Sequence, residues 1–109
     1  MTDAVEIRRY IDERGRDVFG SWLAGLPDAR TRAKVAIRIN RLAAGSFGDC
    51  RSLGQGLCEL KIDWGPGYRV YYAPIGIRAV LLLCGGSKDT QNKDIGRARA
   101  YLEDFKKRT

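Results

Sequence analysis

Two neighbouring segments of the chain carry charged side chains and a phenol at every second position. Glu59, Lys61 and Asp63 alternate with apolar residues in the first segment, and Arg69 and Tyr71 follow in the second. Such alternation is typical of strands with one polar face. Cations that stabilise phosphate oxygens, together with groups that move protons, are what phosphoryl transfer on RNA uses. The register between the two strands decides whether these residues share a face.

A further cation follows a pair of glycines. Gly85-Gly86 lies at the predicted end of a third strand, and Lys88 comes just after it, near the start of the last helix. Glycines there would let the backbone pass close to a ligand. The alternative is that these cations are solvated, and that Arg69 only forms a surface ion pair with Glu59 or Asp63, which contributes about 0–1 kcal/mol.

The charge balance limits the classes of function. Twenty Lys and Arg against thirteen Asp and Glu give a net charge of +7. This indicates a polyanionic partner such as RNA, DNA or an acidic protein, unless the charge serves solubility alone. The chain has no histidine. Catalysis by Ser-His-Asp or Cys-His groups is therefore excluded, and any proton transfer must use Lys, Arg, Tyr, Glu or Asp.

The cysteines and the apolar runs indicate where in the cell the protein is expected to act. Cys50, Cys58 and Cys84 are an odd number without CxxC spacing, which argues against a disulfide framework and a zinc site. Residues 1–4 are polar, which predicts no signal peptide, and the apolar run 79–84 is too short to cross a membrane. We expect one cytoplasmic domain over residues 1–109, with no metal, no cofactor and no membrane partner.

The first half of the chain reads as a strand and two helices. Residues 5–10 alternate and predict a strand. Asp17 and Asp28 are predicted N-caps, the first for a helix to residue 24 and the second for a helix over 29–44.

The second half reads as three strands and a helix. Strands are predicted at 57–63, 68–73 and 77–84, and a final helix runs from Asp89 or Thr90 to about residue 105. The three strands form an antiparallel meander. The order predicts an α+β fold: a small twisted antiparallel sheet, made of the N-terminal strand plus the three-strand meander, with two N-terminal helices packed on it and a C-terminal helix, all on one face.

A basic stripe runs along the second helix. Its members recur at intervals of four, four and three residues: Arg30, Lys34, Arg38 and Arg41. At this spacing they lie on one face of a helix. The stripe is either a solvated surface or a surface that grips phosphate or an acidic partner segment.

Three blocks of sequence resemble a known family. They are residues 53–62 (LGQGLCELKI), 65–72 (GPGYRVYY) and 85–95 (GGSKDTQNKDI). In this order and spacing they are similar to the HigB-type addiction module killer group of the RelE/ParE toxin superfamily. With the predicted N-terminal strand and helix pair, the resemblance covers nearly the whole chain.

The resemblance implies a toxin encoded beside an antitoxin, commonly a helix-turn-helix, HigA-like protein, with which it forms a hetero-oligomer. Many family members cut mRNA on the ribosome without a metal. ParE-like relatives instead inhibit DNA gyrase without catalysis, and this is the alternative function. In the superfamily's nucleases a histidine or another basic residue and a tyrosine near the C-terminus often act, but this chain lacks histidine and Tyr101 falls on the predicted last helix. The general base is therefore unassigned.

The resemblance also assigns residues. Arg69 matches the arginine of a Gly-Tyr-Arg-Val motif and implies phosphate stabilisation. Lys88 matches the basic residue of a Gly-x-Lys-x-x-Gln motif. Glu59 and Lys61 match a Glu-Leu-Arg motif in which Lys61 replaces arginine. These four are the candidate catalytic residues. The candidate RNA contacts are Arg51, Tyr71, Gln91 and Lys93, and the candidate antitoxin contacts are Arg30, Lys34, Arg38 and Arg41.

Some of these residues have a plainer interpretation. Gln91 and Asp94 could only cap and orient the last helix. Trp22 and Trp64 are expected to be core or interface aromatics rather than platforms for bases.

Overall fold

The computed structural model describes residues 4–109 and confirms the α+β class. Within these residues the elements follow in this order: β1 (Glu6–Arg9), α1 (Val18–Gly25), α2 (Ala29–Ala43), β2 (Cys50–Gly54), β3 (Leu57–Ile62), β4 (Tyr68–Gly76), β5 (Ala79–Ser87), a 3₁₀ turn (Lys88–Thr90) and α3 (Gln91–Arg108). Residues 1–3, on which the prediction of no signal peptide partly rests, lie outside the described residues.

The described strands form one mixed sheet in the order β1-β5-β4-β3-β2. β3, β4 and β5 are the predicted antiparallel meander. The prediction of an antiparallel sheet throughout is wrong at β1, which pairs in parallel with β5. The chain between β1 and β5 contains two helices and three strands, and this long crossover allows parallel pairing. β2 was not predicted, and it pairs with β3 at the far edge of the sheet.

Helices cover both faces of the sheet, so the prediction that they share one face is wrong. α1 and α2 pack on a core that contains Phe19, Val35 and Val70. α3 packs on the opposite face, where Leu81 and Leu102 belong to a second core. The interior strands β4 and β5 are buried at consecutive positions, so both of their faces need a covering layer.

The helix starts follow the predicted caps. The Asp17 carboxylate accepts a hydrogen bond from Gly20 N at 2.9 Å, and that of Asp28 accepts one from Arg30 N at 3.1 Å. Each satisfies a backbone donor that the helix itself leaves free. α2 thereby starts where the sequence predicted.

The end of β5 differs from the prediction. Gly85-Gly86 does not end the strand, which continues to Ser87 and pairs with β4. Glycine is needed at these positions because side chains of other elements pack closely against the backbone. A Cβ at Gly85 would lie 2.3 Å from Trp22 Cε3. Trp22 is half-buried against the α1 side of the core, as predicted for a packing aromatic.

Candidate functional site

The register between β3 and β4 places the predicted site residues side by side. Lys61 is paired with Arg69, and Glu59 is paired with Tyr71. Cross-strand partners point to the same side, so all four share one face of the sheet. β2 adds Arg51 to this face, because it is paired with Glu59 from the other side.

A basic cleft of about 310 Å³ opens on this face near the β2 edge. Its lining is polar and comes from β3, β4, the start of α3 and the β2 edge: Asp49, Cys50, Arg51, Glu59, Lys61, Arg69 and Gln91. Three cations face two carboxylates, so the cleft has the positive balance that suits an anionic ligand.

Glu59 is the centre of the hydrogen bonds in the basic cleft, and only 3% of it is exposed. Arg51 Nε donates to Glu59 Oε1 at 3.0 Å, and Gln91 Nε2 donates to Oε2 at 2.9 Å. Arg69 Nε lies 3.6 Å from the same Oε2. Both carboxylate oxygens are therefore engaged. Arg69 does pair with Glu59, but both side chains are buried, so this is not the surface bridge considered from the sequence.

Arg69 lines the basic cleft although it is almost completely buried. Only 7% of the residue is exposed, and its Nε has no hydrogen-bond partner. Its Nη1 donates to the Gly67 carbonyl at 3.3 Å. The Nε atom is enclosed and lies 3.6 Å from Glu59 Oε2, so the part of Arg69 that lines the cleft offers an anion its positive charge rather than this donor.

Lys88 lies beside Arg69 at the other side of Gly67. Its backbone N donates to the Gly67 carbonyl at 2.8 Å. Gly67 has φ +83°, and a Cβ there would lie 3.6 Å from Arg69 Nη1 and 3.8 Å from Lys88 Cβ. The left-handed turn thus brings two of the three predicted catalytic cations together, and the Lys88 side chain is exposed.

Tyr71 is not the exposed phenol that was expected among the RNA contacts. It has no exposed surface, because α3 covers this part of the face. Its hydroxyl is buried and has no hydrogen-bond partner. Burial, with the charges of Glu59 and Asp94, raises the pKa of Tyr71 far above its ordinary value. Tyr71 therefore stays protonated and forms part of the core beside the cleft.

Gln91 and Asp94 at the start of α3 have different roles. Asp94 is buried and accepts a hydrogen bond from Thr90 Oγ1 at 2.5 Å. A Cβ at Gly86 would lie 1.7 Å from Asp94 Oδ2, so this carboxyl group rests directly on β5. Asp94 thus anchors the helix, as the plainer interpretation held, whereas Gln91 reaches Glu59 and belongs to the basic cleft.

Lys93 lies outside the basic cleft. It lines a neighbouring hollow of about 420 Å³, formed by residues 88–93. Gln91 belongs to both depressions. The predicted residues Lys88 and Lys93 therefore extend the positive surface past the start of α3.

The basic stripe on α2 forms one wall of a second depression, the α2 groove, of about 420 Å³. Lys34, Arg38 and Arg41 line it, but Arg30 does not. Its lining also includes Lys61 and Asp49, which the groove shares with the basic cleft, a second carboxylate at Asp63, and an apolar part.

Two cations of the α2 groove, Lys34 and Arg38, also make contacts within the protein. Lys34 Nζ lies 4.7 Å from the Trp64 ring centroid, a cation–π contact. Arg38 Nη2 donates to the Phe47 carbonyl at 3.2 Å and so holds the loop after α2. Ile37 is 46% exposed, which leaves apolar surface beside the cations.

Asp49 and Cys50 are the two lining residues of the basic cleft that were not predicted from the sequence, and Asp49 is the one with a charge. It is exposed, and its backbone carbonyl accepts from Lys61 N at 2.9 Å. Its two-residue spacing from Arg51 would have placed both on one face, had β2 been recognised as a strand.

Metal sites and membrane-spanning helices are both lacking among residues 4–109. No group of three or more His, Cys, Asp or Glu side chains is placed to hold a metal ion. No helix in this part of the chain is long and apolar enough to cross a membrane.

The structure is that of a small α+β protein with a cleft in which cations outnumber carboxylates. Over 87 residues the chain is 48% identical to a Haemophilus influenzae protein described as uncharacterized, and the match spans 80% of this chain and 88% of the relative. The chain belongs to the same family as that protein. No model of a known protein family matches the chain.

Proposed function

We propose that this protein is the toxin of a type II toxin–antitoxin module and acts in the cytoplasm as a ribosome-dependent mRNA endonuclease. The observation that supports this most is the arrangement around Arg69. A buried guanidinium with an unpartnered Nε lines a cleft beside Lys61 and Arg51, with Lys88 next to it. This arrangement suits a phosphate group. Three of the four cations, Lys61, Arg69 and Lys88, lie in the sequence blocks that resemble the RelE/ParE toxins, and Arg51 lies just before the first block.

The chemistry that fits the basic cleft is attack of the RNA 2′-oxygen on the adjacent phosphate. The nucleophile then comes from the substrate, so no metal-activated water is needed. Arg69 and Lys61 would neutralise the non-bridging oxygens as charge builds in the transition state. Glu59 would hold Arg51 and Arg69 in place, a positioning role that follows from its engaged oxygens.

The test is cleavage of mRNA bound to purified ribosomes by wild type, Arg69→Ala and Lys88→Ala. We expect wild type to cut and Arg69→Ala to lose about 10²–10³ in rate, the usual cost of removing one transition-state donor. Glu103→Gln, on the exposed side of α3, is the control and should cut normally. Intact mRNA with folded wild type would rule out the endonuclease.

The antitoxin is proposed to cover the α2 groove with an acidic, amphipathic segment. The groove combines Lys34, Arg41 and Lys61 with exposed apolar surface at Ile37. Because it shares Lys61 with the basic cleft, a segment bound there would also approach the RNA site.

Charge reversal tests this partner surface. Lys34→Glu with Arg41→Glu is preferable to a change at Arg38, which holds the loop after α2. Like charges across an interface cost several kcal/mol, so the affinity of the antitoxin encoded beside the gene should fall about 100-fold or more. Unchanged affinity would exclude the α2 groove. Reversal of Arg30, outside the groove, is the matched control.

The second candidate function is non-catalytic inhibition of DNA gyrase. One observation favours it: the two residues expected to move protons are constrained, since Glu59 is engaged and Tyr71 stays protonated. A supercoiling assay with excess protein separates the two functions. Gyrase that supercoils normally rules this candidate out.

A further inference from the structure

The proposed cleavage needs a group that accepts the proton of the 2′-hydroxyl, and the residues predicted from the sequence do not provide one. Glu59 accepts from Arg51 and Gln91 and faces Arg69. Tyr71 is fully buried. The remaining carboxylate that lines the basic cleft is Asp49.

We propose that Asp49 is the general base of the basic cleft, an inference that rests on the proposed function. Within residues 4–109, its carboxylate takes part in no hydrogen bond or ion pair, and the residue is exposed. It lines the basic cleft together with Lys61 and Arg69. A free, accessible carboxylate beside phosphate-binding cations is what proton abstraction from a bound ribose requires.

The backbone around Asp49 is held although its side chain is free. Gly48 has φ +63°, and a Cβ there would lie 2.7 Å from Arg38 Nη2. Arg38 also donates to the Phe47 carbonyl, and Cys50 N donates to the Gly48 carbonyl at 3.0 Å. The Asp49 side chain therefore projects from a fixed position, as a catalytic group must.

The order of residues across the sheet suits in-line attack. Asp49 is joined to Lys61 by a backbone hydrogen bond, Lys61 is paired with Arg69, and Arg69 is paired with Gly86. Adjacent strands are about 4.8 Å apart. Asp49 thus lies at one end of the row and Lys88 beyond the other, with the two phosphate-binding cations between them.

The reaction balances with these groups. Asp49 takes the 2′-hydroxyl proton as the 2′-oxygen forms a bond to phosphorus. The bond from phosphorus to the 5′-oxygen breaks, and that oxygen takes a proton from the Lys88 ammonium. The products are a 2′,3′-cyclic phosphate and a 5′-hydroxyl, and proton exchange with water restores Asp49 and Lys88.

The test is single-turnover cleavage of ribosome-bound mRNA by wild type, Asp49→Asn, Asp49→Ala and Asp49→Glu, with affinity for the ribosome measured separately. We expect Asp49→Asn and Asp49→Ala to lower the cleavage rate by a factor of about 10²–10⁴, the usual contribution of a general base, while the affinity for the ribosome stays unchanged. Glu should recover part of the rate, because it restores a carboxylate. Glu103→Gln, which also removes one negative charge, should behave as wild type.

Three other outcomes would overturn the inference, and the last of them would also overturn the proposed function. If wild type cuts and Asp49→Asn cuts equally fast, Asp49 is not the base and the proposed function stands. If the affinity for the ribosome falls as much as the cleavage rate, and Asp49→Glu restores neither, the role of Asp49 is structural and the inference is wrong. If folded wild type does not cut, the proposed function and the role of Asp49 fail together.

Discussion

Replacing Glu59 by glutamine would test the buried charge network that shapes the basic cleft. The substitution keeps the shape of the side chain but removes its charge. In the wild type, Arg69 Nε lies 3.6 Å from Glu59 Oε2, so the change leaves the buried guanidinium without its counter-ion. Removing one partner of a buried ion pair costs about 3–5 kcal/mol. The side chain of Arg51 is 63% exposed, so its part of the loss is only about 0–1 kcal/mol.

The expected net loss for Glu59→Gln is about 2–4 kcal/mol, because the pair with Arg69 lacks a direct hydrogen bond and its geometry falls short of the ideal. At roughly 5 °C per kcal/mol for a domain of this size, the Tm should fall by about 10–20 °C. Urea unfolding with linear extrapolation gives the free energy directly.

A double-mutant cycle with Arg69→Met then isolates the pair. If the uncompensated guanidinium is the cause, the double variant should lose less free energy of unfolding than the two single variants lose together. The difference should be about 1–3 kcal/mol. Glu103→Gln should stay within about 0.5 kcal/mol of wild type. A Glu59→Gln protein as stable as this control, or strict additivity in the cycle, would refute the reasoning.

Three further predictions concern the surroundings of the cleft and the far end of α3. Gly86→Ala should destabilise the fold by about 1–3 kcal/mol in urea, because the new Cβ would meet the Asp94 carboxyl at 1.7 Å; unchanged stability would show that α3 can shift freely. Tyr71→Phe should be neutral or stabilising by about 1 kcal/mol, since it removes a buried hydroxyl that has no partner; a clear loss would show that the hydroxyl is hydrogen-bonded. The hydrogen bond from Tyr10, followed by that from Arg108, lowers the pKa of Asp104. The stability that Asp104 contributes is therefore present above its unfolded pKa and lost as pH falls through the folded value. The stability gap between wild type and Asp104→Asn should narrow on acidification, and a gap independent of pH would contradict this.

Much of the fold could be predicted from local patterns. The helix starts at Asp17 and Asp28 follow from capping chemistry that acts within four residues. The meander follows from period-two alternation and short turns. β2 was missed because Cys50–Gly54 is short and lacks apolar alternation, so only its pairing with β3 defines it.

The parallel pairing of β1 and the placement of α3 depend on contacts distant in sequence. Glu6 is paired with Ala79, which lies more than half the chain away in sequence, and no local sequence pattern predicts this pairing. The second covering layer was in principle foreseeable, since both faces of β5 read as apolar from the sequence.

The site was predicted in its residue types but not in its geometry. That Lys61 lies opposite Arg69 depends on a register that one residue of slippage would undo. The burial of Tyr71 under α3 and the contact of Gln91 with Glu59 arise only when the helix packs on the sheet. Asp49 was not predicted because β2, the strand that begins directly after it, was not predicted either.

The proposed cleavage of RNA by 2′-oxygen attack can be recognised from the terminal groups of the product. Wild type and Arg69→Ala should be incubated with ribosome-bound mRNA in the presence of a chelator that leaves the ribosome intact, and the fragments analysed for their terminal groups. We expect fragments with a 2′,3′-cyclic phosphate and a 5′-hydroxyl from wild type, and a loss of about 10²–10³ in rate for Arg69→Ala. Fragments with a 3′-hydroxyl and a 5′-phosphate, or no fragments at all, would contradict it.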